Sequence, residues 1–368
     1  MQVKFTLDAA KASKDFTPLF AAVNHSAVLP ILEDVLIQNN GVLSFVSTDL
    51  ENVFRIEQES AGKNKFAVCL NAKKLKQLIN NAIDPAISFS GDEKKIKIKN
   101  GEFGLSSALE DAGNFPKEPV MDKKETVSFT VDTKEIIPQL EKAILFVSND
   151  DLRPSMTGVL IKDWKGKLYA VATDAHRMYW GDICKTPEGF NGVEFIVPAK
   201  AIRLIIMAFK KDKQVAISKS NYHFRVSSDG KSLMSRLIDA RYPDFSAVIP
   251  QDNKLTFNLN RKQLTSFLKI CTPFTNKSTG MLKIEVSKEK ILCTGGDVDF
   301  NDEFNYSLPL YNANVEFDSF KFAINTKFLI QALSVVKDEY VMVAHSTSAT
   351  KAIIIDDCIL IMPLMINE

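Results

Sequence analysis

The chain has 368 residues, of which 45% are hydrophobic and 25% are charged. This composition is typical of a folded globular protein and excludes a disordered or collagen-like chain, and the length predicts two or three domains, because one domain usually has roughly 100–200 residues. The 46 Lys and Arg residues balance the 45 Asp and Glu residues, so attraction to nucleic acid by net charge is excluded, and any affinity for DNA must come from an uneven distribution of basic residues.

Taken in chain order, the predicted elements repeat three times. Each copy begins with a short alternating strand that ends in a helix-capping residue, at 3–8, 127–132 and 255–260. A first helix, several alternating strands, a second helix and further strands follow in each copy. The first helices are predicted at roughly 8–22, 132–147 and 260–272, and the second at roughly 72–82, 198–210 and 325–336. Pro138 lies past the first turn of its helix, so it should kink the helix or delay its regular part.

Equal spacings support the repeat. Lys73, Lys200 and Lys327 follow one another at intervals of 127 residues, and the same interval separates Pro116 from Pro243 in two proline-rich polar stretches. These stretches are typical of connections between domains. The sequence therefore predicts three α+β domains built on antiparallel sheets, at residues 1–125, 126–252 and 253–368.

Basic residues recur on the outward faces of all six predicted helices. A single basic helix face is usually ordinary solvated surface, but six such faces would give a near-neutral chain a basic lining, if the copies curve so that equivalent helices point one way. Such a lining would contact phosphates without reading bases. The candidate DNA-facing residues, including one from the loop after the second copy's first helix, are Lys11, Lys14, Lys73, Lys76, Lys134, Lys142, Arg153, Lys200, Arg203, Lys210, Arg261, Lys262 and Lys327.

Ser155, Asp174 and His176 are the residue types of a hydrolase triad, so the sequence also allows a catalytic interpretation. The repeat argues against it, because Asp49 and Asp297 occupy the equivalent turn without a following His-Arg pair. Asp174 is therefore predicted to be a turn residue that binds local backbone. Phosphate-binding, nucleophile-elbow and H-E-x-x-H motifs are absent from the sequence. We expect no catalysis, no cofactor and no metal.

The cysteines and the amino terminus bear on location. Five widely spaced cysteines without a C-x-x-C pair predict buried thiols rather than disulfides or a zinc site; they are Cys69, Cys184, Cys271, Cys293 and Cys358. No signal-peptide pattern is visible, and no stretch approaches the roughly 18 apolar residues of a membrane span. We expect a cytoplasmic protein.

Four motifs in the second and third copies resemble the bacterial DNA polymerase III beta subunit, the replicative sliding clamp. They are DLRPSMTG at 151–158, ATDAHRM at 172–178, DARYPDF at 239–245 and MPL at 362–364. The resemblance implies three clamp-type domains with helices facing inward, joined head to tail in a homodimeric ring around duplex DNA. It further implies a processivity factor that tethers the polymerase III catalytic subunit, the clamp loader and other replication and repair proteins, without contact with a membrane.

The resemblance also implies two binding surfaces. A hydrophobic cleft between the second and third domains would receive partner peptides at Met156, Thr173, His176, Arg177, Met178, Pro243, Val248, Ile361, Met362, Pro363 and Leu364. Edge strands of the first and third domains would pair across the dimer at Lys97, Lys99, Phe103, Leu105, Phe274, Asp297, Asp299, Asp302 and Glu303. The basic segment around Lys97 and Lys99 and the acidic segment from Asp297 to Glu303 could instead be ordinary exposed hairpins.

Some positions depart from the family pattern. The segment Asn24-His25-Ser26 lacks a frequent arginine, Asp150 stands where an amide is common, and Ala175 replaces a usual glycine. The chain also continues past the MPL motif through residues 365–368. A second hypothesis stays open, that of a repeat-built peptide-binding scaffold that never surrounds DNA.

Overall fold

A computed structural model describes residues 2–24, 29–59, 64–122, 124–315, 319–346, 348 and 350–366. Short α-helices pack against antiparallel strands, as an α+β chain predicts. The helices of the described residues are α1 (Ala9–Asp15), α2 (Thr17–Ala22), α3 (Ala72–Asn80), α4 (Thr133–Ala143), α5 (Ala199–Phe209), α6 (Arg261–Cys271) and α7 (Thr326–Val335). None of the helices in this part of the chain is long and apolar enough to cross a membrane.

The helices begin where the capping residues predict and end less predictably. Asp8, Asn71, Asn260 and Asn325 each accept a backbone N–H from the first turn of the helix that follows. The first predicted helix is broken at Phe16, and α2 restarts with Pro18 in its first turn, where the missing N–H of a proline does no harm. Helix α4 contains Pro138 and already begins at Thr133, so the predicted delay was wrong.

The strands account for most of the remaining described residues. They are β1 (Val3–Asp8), β2 (Asp34–Asn39), β3 (Val42–Thr48), β4 (Asn52–Glu59), β5 (Phe66–Asn71), β6 (Ala86–Gly91), β7 (Lys95–Asn100), β8 (Phe103–Ala108), β9 (Val127–Asp132), β10 (Gly158–Trp164), β11 (Lys167–Thr173), β12 (Arg177–Lys185), β13 (Glu194–Pro198), β14 (Gln214–Lys219), β15 (His223–Ser228), β16 (Lys231–Arg236), β17 (Leu255–Asn260), β18 (Met281–Val286), β19 (Lys290–Asp297), β20 (Asp302–Pro309), β21 (Tyr311–Asn314), β22 (Phe320–Asn325), β23 (Tyr340–His345), β24 (Ile353–Ile355) and β25 (Ile359–Ile361).

The chain divides into two compact units, each of which combines residues from more than one copy. Unit 1 contains residues 1–140, 163–167 and 184–239, and unit 2 contains residues 141–162, 168–183 and 240–368. In unit 1, β4 of the first copy pairs with β16 of the second, so one antiparallel sheet runs through both in the order β5-β2-β3-β4-β16-β15-β14-β9. Because sheets continue from copy to copy, the boundaries near 125 and 253 stay predictions.

Unit 2 repeats this arrangement with later elements. Strand β12 pairs with β25, and the sheet continues through β24, β23, β17 and β21. Strand β21 is an addition in the third copy, where it covers the free edge of β17. A separate four-stranded sheet, β20-β19-β18-β22, completes unit 2, and unit 1 likewise has a separate four-stranded sheet, β1-β6-β7-β8.

Alternating burial explains why these segments are strands with one face in the core. Val3, Phe5 and Leu7 of β1 are buried while their neighbours are exposed, and the Phe5 ring stacks on that of Phe89 with centroids 4.4 Å apart. The cysteines are free thiols; Cys69, Cys271 and Cys293 are buried and the other two are half-buried. Burial raises the pKa of Cys69 to about 12, so this thiol is unreactive in the folded chain.

Candidate partner-binding site and basic helix faces

The turn between β11 and β12 is fixed by its own polar side chains. The Asp174 carboxylate accepts the backbone N–H groups of His176 and Arg177 at 3.0 Å each, and the Thr173 hydroxyl donates to the Arg177 carbonyl at 2.8 Å. Ala175 takes a left-handed conformation with φ of 75°. These bonds occupy Asp174 with the local backbone, as the sequence predicted for a turn residue, and the triad interpretation has no support in this geometry.

Arg177 is largely buried by its own chain. Its Nε lies 2.9 Å from Asp174, its guanidinium lies over the Phe146 and Phe328 rings at 5.3 and 4.7 Å, and it donates a hydrogen bond to Gln331. Only 11% of the side chain is exposed. Arg177 therefore braces this part of unit 2, and peptide contact falls more naturally to the exposed His176, whose ring centroid lies 6.1 Å from that of Phe328.

The carboxy-terminal motif lies directly beside this turn. Arg177 pairs with Ile361 across β12 and β25, the Met362 N–H donates to the His176 carbonyl at 2.8 Å, and the Leu364 N–H donates to the Ala323 carbonyl at 2.8 Å. Two motifs that are 184 residues apart in the chain are thus joined by backbone hydrogen bonds. The structure brings together the two segments that the resemblance singles out.

The predicted cleft residues divide into a buried layer and an exposed one. Thr173, Met178 and Ile361 are buried, whereas Val248 is 52% and Met362 37% exposed. Pro243 and His176 are also exposed, and Met156, Arg177, Pro363 and Leu364 are half-buried. Exposed and half-buried apolar side chains beside a few fixed polar groups form a surface suited to an apolar peptide, and methionine adapts to varied anchors. Gln331, Phe146 and Phe328 support this site and were missed from sequence.

The candidate DNA-facing residues lie mainly on exposed helix surface. Lys142 and Arg261 are half-buried and the other candidates are exposed. Lys142 points its ammonium over the Tyr179 ring at 6.0 Å, and Lys200 lies 2.5 Å from the Asp49 carboxylate. In the loop, Arg153 pairs with Asp150 at 2.8 Å. Lys142, Lys200 and Arg153 are therefore engaged with other side chains of the chain.

Each unit has an edge strand at the position of the predicted dimer surface. In unit 1, β8 is a sheet edge with Phe103 46% and Leu105 37% exposed, and Lys97 and Lys99 of the neighbouring β7 are exposed. Phe103 and Leu105 thus offer apolar anchors beside a row of lysines. An open strand edge with such anchors is a ready template for pairing with another chain.

In unit 2, β20 is the corresponding edge. A cavity of about 620 Å³ lies against it and is lined in part by Tyr306 of β20 and by Phe267, Ile270 and Phe274. Asp297 differs from the expectation of surface charge, because only 3% of it is exposed and it accepts the Asp299 N–H. The acidic charge on this surface comes from Asp299, Asp302 and Glu303.

Two departures noted in the sequence concern residues outside those that the structure describes. One is at His25 and Ser26 of the amino-terminal loop, and the other includes Asn367 and Glu368 of the tail. Within the part of the chain that the structure describes, no group of three His, Cys, Asp or Glu side chains could hold a metal ion.

Comparison with known proteins agrees with this architecture. Residues 130–244 match the family described as DNA polymerase III beta subunit, central domain. The beta sliding clamp of Chlamydia muridarum is 26% identical over the whole of both chains, and that of Caulobacter vibrioides is 25% identical over 96% of each.

Solved structures show the same fold. The sliding clamp from Bartonella birtlesii covers all of both chains with a TM-score of 0.91 and 21% identity, and the DNA polymerase III beta subunit from Thermotoga maritima does so with a TM-score of 0.89 and 19% identity. The fold class inferred from the repeat is confirmed. Residues 130–244 thus match the central domain of the DNA polymerase III beta subunit family, and the whole chain is similar to beta sliding clamps.

Proposed function

We infer that this chain is a sliding clamp, a non-catalytic processivity factor that encircles duplex DNA as a homodimeric ring and tethers the replicative polymerase. The observation that carries this function is similarity to beta sliding clamps along the entire chain, with none of the three copies missing. A replication factor of this kind works in the bacterial cytoplasm.

The tether acts through topology and effective concentration. A polymerase that releases the primer while bound to a closed ring remains beside the DNA, so rebinding is an intramolecular event. The exposed lysines and arginines on α1, α3, α5, α6 and α7 supply weak contacts to phosphates that carry no sequence information. Such contacts hold the duplex without fixing the ring at one position.

Partner proteins would dock at the surface formed by the β11–β12 turn and the carboxy-terminal motif. Val248, Met362 and Leu364 offer apolar contact area, and His176 offers a polar group on the same surface. Polymerase III, the clamp loader and repair proteins would each present a short peptide with apolar anchors, and they would compete with one another for this one site. Dimerisation would join β8 of one protomer to β20 of its partner, which removes both open edges.

Retention on circular DNA tests the function. Ring closure predicts that protein loaded onto a nicked circle stays bound in about 1 M salt and is lost when the circle is linearised, because salt weakens phosphate contacts but cannot break a topological link. Gel filtration of the protein–DNA complex before and after linearisation measures this. Loss in high salt from the intact circle would contradict encirclement.

Static light scattering separates the ring from the peptide-binding scaffold. The clamp predicts a mass near twice the 41.1 kDa of the chain, whereas the scaffold predicts a monomer that still binds partner peptides. A dimer in which Phe103→Asp causes dissociation would support the proposed edge pairing, because that side chain is 46% exposed in the single chain.

A further inference from the structure

The connection between the first and second copies lies across the junction of those copies, and one of its carboxylates pairs with an arginine of each copy. We call residues 115–122 the first strap. Glu118 lies 2.6 Å from Arg55 of β4, in the first copy, and 3.3 Å from Arg225 of β15, in the second. Arg55 also donates to the Ser44 hydroxyl at 3.3 Å. One side chain of the strap therefore bridges the two copies on either side of the β4–β16 pairing.

The strap covers a small apolar cluster. Phe115 and Met121, at its two ends, pack with Val46, Val53, Cys69 and Met234, which come from both copies. Cys69 is 1% exposed and Phe115 7%. Val120, next to Met121, is 90% exposed, so the middle of the strap contributes little burial. Its attachment depends on its ends and on Glu118.

The connection between the second and third copies has apolar residues at the equivalent positions. Matching of the strand registers places Trp180 at the position of Arg55 and Ile354 at that of Arg225. The 127-residue interval between Pro116 and Pro243 places Phe245 at the position of Glu118. All three are buried, with 7%, 3% and 3% exposure. Three charged residues at the first junction thus stand where the second has three buried apolar residues.

The two kinds of attachment respond differently to the solvent. The Arg55, Arg225 and Glu118 side chains are 19%, 37% and 22% exposed, and partly exposed ion pairs are weak and screened by salt. Burial of a phenylalanine has no such dependence on salt. A cavity of about 1010 Å³ lies beside the first strap, lined in part by Arg55, Glu118 and Arg225, so the charged pairs border open space rather than a packed core.

We propose that the first strap is a releasable brace: the Arg55–Glu118–Arg225 triad closes it over the junction of the first and second copies, and loss of those ion pairs opens it. The second connection stays closed under the same conditions because apolar burial holds it. A chain with one releasable brace flexes at the first junction in preference to the second. The consequence for a ring that must open on DNA rests on the proposed function, whereas the brace itself does not.

The thiol of Cys69 reports opening directly. Burial raises its pKa to about 12, so alkylation near pH 8 proceeds only through conformations that expose it. We expect Glu118→Gln to raise the Cys69 alkylation rate about tenfold, which corresponds to the loss of about 1.4 kcal/mol. Cys293, 0% exposed in the third copy, should react at an unchanged rate in the same molecule. Peptide-resolved mass spectrometry measures both rates.

Glu125→Gln is the matched control. Glu125 lies in the same connection and accepts a hydrogen bond from the Asn221 amide instead of a guanidinium, so its neutralisation should leave Cys69 unchanged. Raising the salt concentration from about 0.05 M to about 1 M should accelerate Cys69 alkylation in the wild type and not in Glu118→Gln. Equal Cys69 rates in the wild type and Glu118→Gln, or a salt response that survives in Glu118→Gln, would overturn the brace.

A transplant provides a second test. The triple variant Arg55→Trp, Glu118→Phe, Arg225→Ile copies the second connection and should make Cys69 alkylation independent of salt; a persistent salt response would overturn the assignment to the triad. On a nicked circle, Glu118→Gln should dissociate several times faster than the wild type, and an equal lifetime would refute the link to ring opening. If the wild type itself is not retained on the circle, the proposed function fails while the alkylation result stands.

Discussion

The two junctions between copies share a backbone and differ in side chains. At the first junction, where β4 pairs with β16, Asp49 accepts the N–H groups of Glu51 and Asn52; at the second, where β12 pairs with β25, Asp174 accepts those of His176 and Arg177. Leu50 and Ala175 have nearly equal positive φ values of 78° and 75°. Ala175, noted as a departure from a usual glycine, is therefore matched by a bulkier residue in the other copy.

The segments that follow each pairing also correspond. The Arg236 N–H donates to the Glu51 carbonyl as Met362 donates to His176, and the Ile238 N–H donates to Ile196 as Leu364 donates to Ala323. The side chains then diverge: Glu51 and Arg236 face one another at 3.8 Å, whereas His176 and Met362 offer a neutral, partly apolar surface. A binding site is thus made by substitution on a duplicated scaffold, not by a new fold.

Coverage of the junction differs as well. Met121 of the first strap packs on the apolar cluster of the first junction, whereas Val248, its equivalent in the second connection, is 52% exposed. At the first junction, Met121 of the strap thus covers part of the apolar surface. The second leaves apolar side chains exposed, which suits a surface that receives peptides from other proteins.

The largest expected difference between the junctions concerns partner peptides. We expect Met362→Ala combined with Leu364→Ala to weaken a client peptide about 100-fold, because each truncation removes roughly 1–2 kcal/mol of apolar contact. The matched control, Arg236→Ala with Ile238→Ala, changes the equivalent positions of the first junction and should leave affinity unchanged. Fluorescence anisotropy with a labelled peptide from the polymerase measures both, and equal weakening would remove the distinction between the junctions.

A smaller difference is expected in stability. Arg177→Ala should lower the free energy of unfolding by about 2–3 kcal/mol, because it strips a largely buried Asp174 carboxylate and Gln331 of their partner. Asn52→Ala, at the equivalent position, loses only amide hydrogen bonds to Asp49 and should lose about 1 kcal/mol. His176→Ala, on the exposed side of the turn, should cost little. Urea unfolding measures the stability of all three variants, and an inverted order would show that Arg177 does not stabilise this part of unit 2.

Local signals in the sequence were sufficient for much of this architecture. The capping residues Asp8 and Asn71 located helix starts, and the recurrence of Asp49 and Asp174 identified a turn before any contact was known. These features depend on neighbouring residues. The break at Phe16 was not predicted, because an apolar helical pattern continues through this residue. Pro18 gave no clear signal, since a proline can stand in the first turn of a new helix as well as end the preceding one.

Contacts distant in sequence were not predictable from pattern. Arg177 meets Gln331, which is 154 residues away, and strand β4 pairs with β16 across a similar distance. Alternation shows which face of a strand is buried but not which strand lies beside it. The burial of Asp297 was missed for the same reason, because its polarity predicted surface and its packing depends on β20.

The smallest expected difference concerns pH. Asp34 begins β2 in the first copy where Gly158 begins β10 in the second, and burial with the nearby Glu110 raises the pKa of Asp34 from 3.8 to about 6. An unfolded chain ionises this group near 3.8, so the folded state holds the proton longer and is penalised once the group ionises. The penalty is absent below about pH 4, grows as the pH rises to about 6 and is complete above it.

Asp34→Asn should therefore stabilise the protein at pH 7.5 by about 1 kcal/mol, well below the roughly 3 kcal/mol that two pKa units represent, because relaxation of the site reduces the penalty. The gain over the wild type should shrink as the pH falls from 6 to 4. Asp163→Asn is the opposite control: hydrogen bonds from the Gly192 N–H and the Thr186 hydroxyl lower the Asp163 pKa, so its neutralisation should destabilise the protein at neutral pH. Urea unfolding across this pH range measures both effects. A stability gain for Asp34→Asn that does not vary with pH would show that the gain comes from packing and not from removal of the charge.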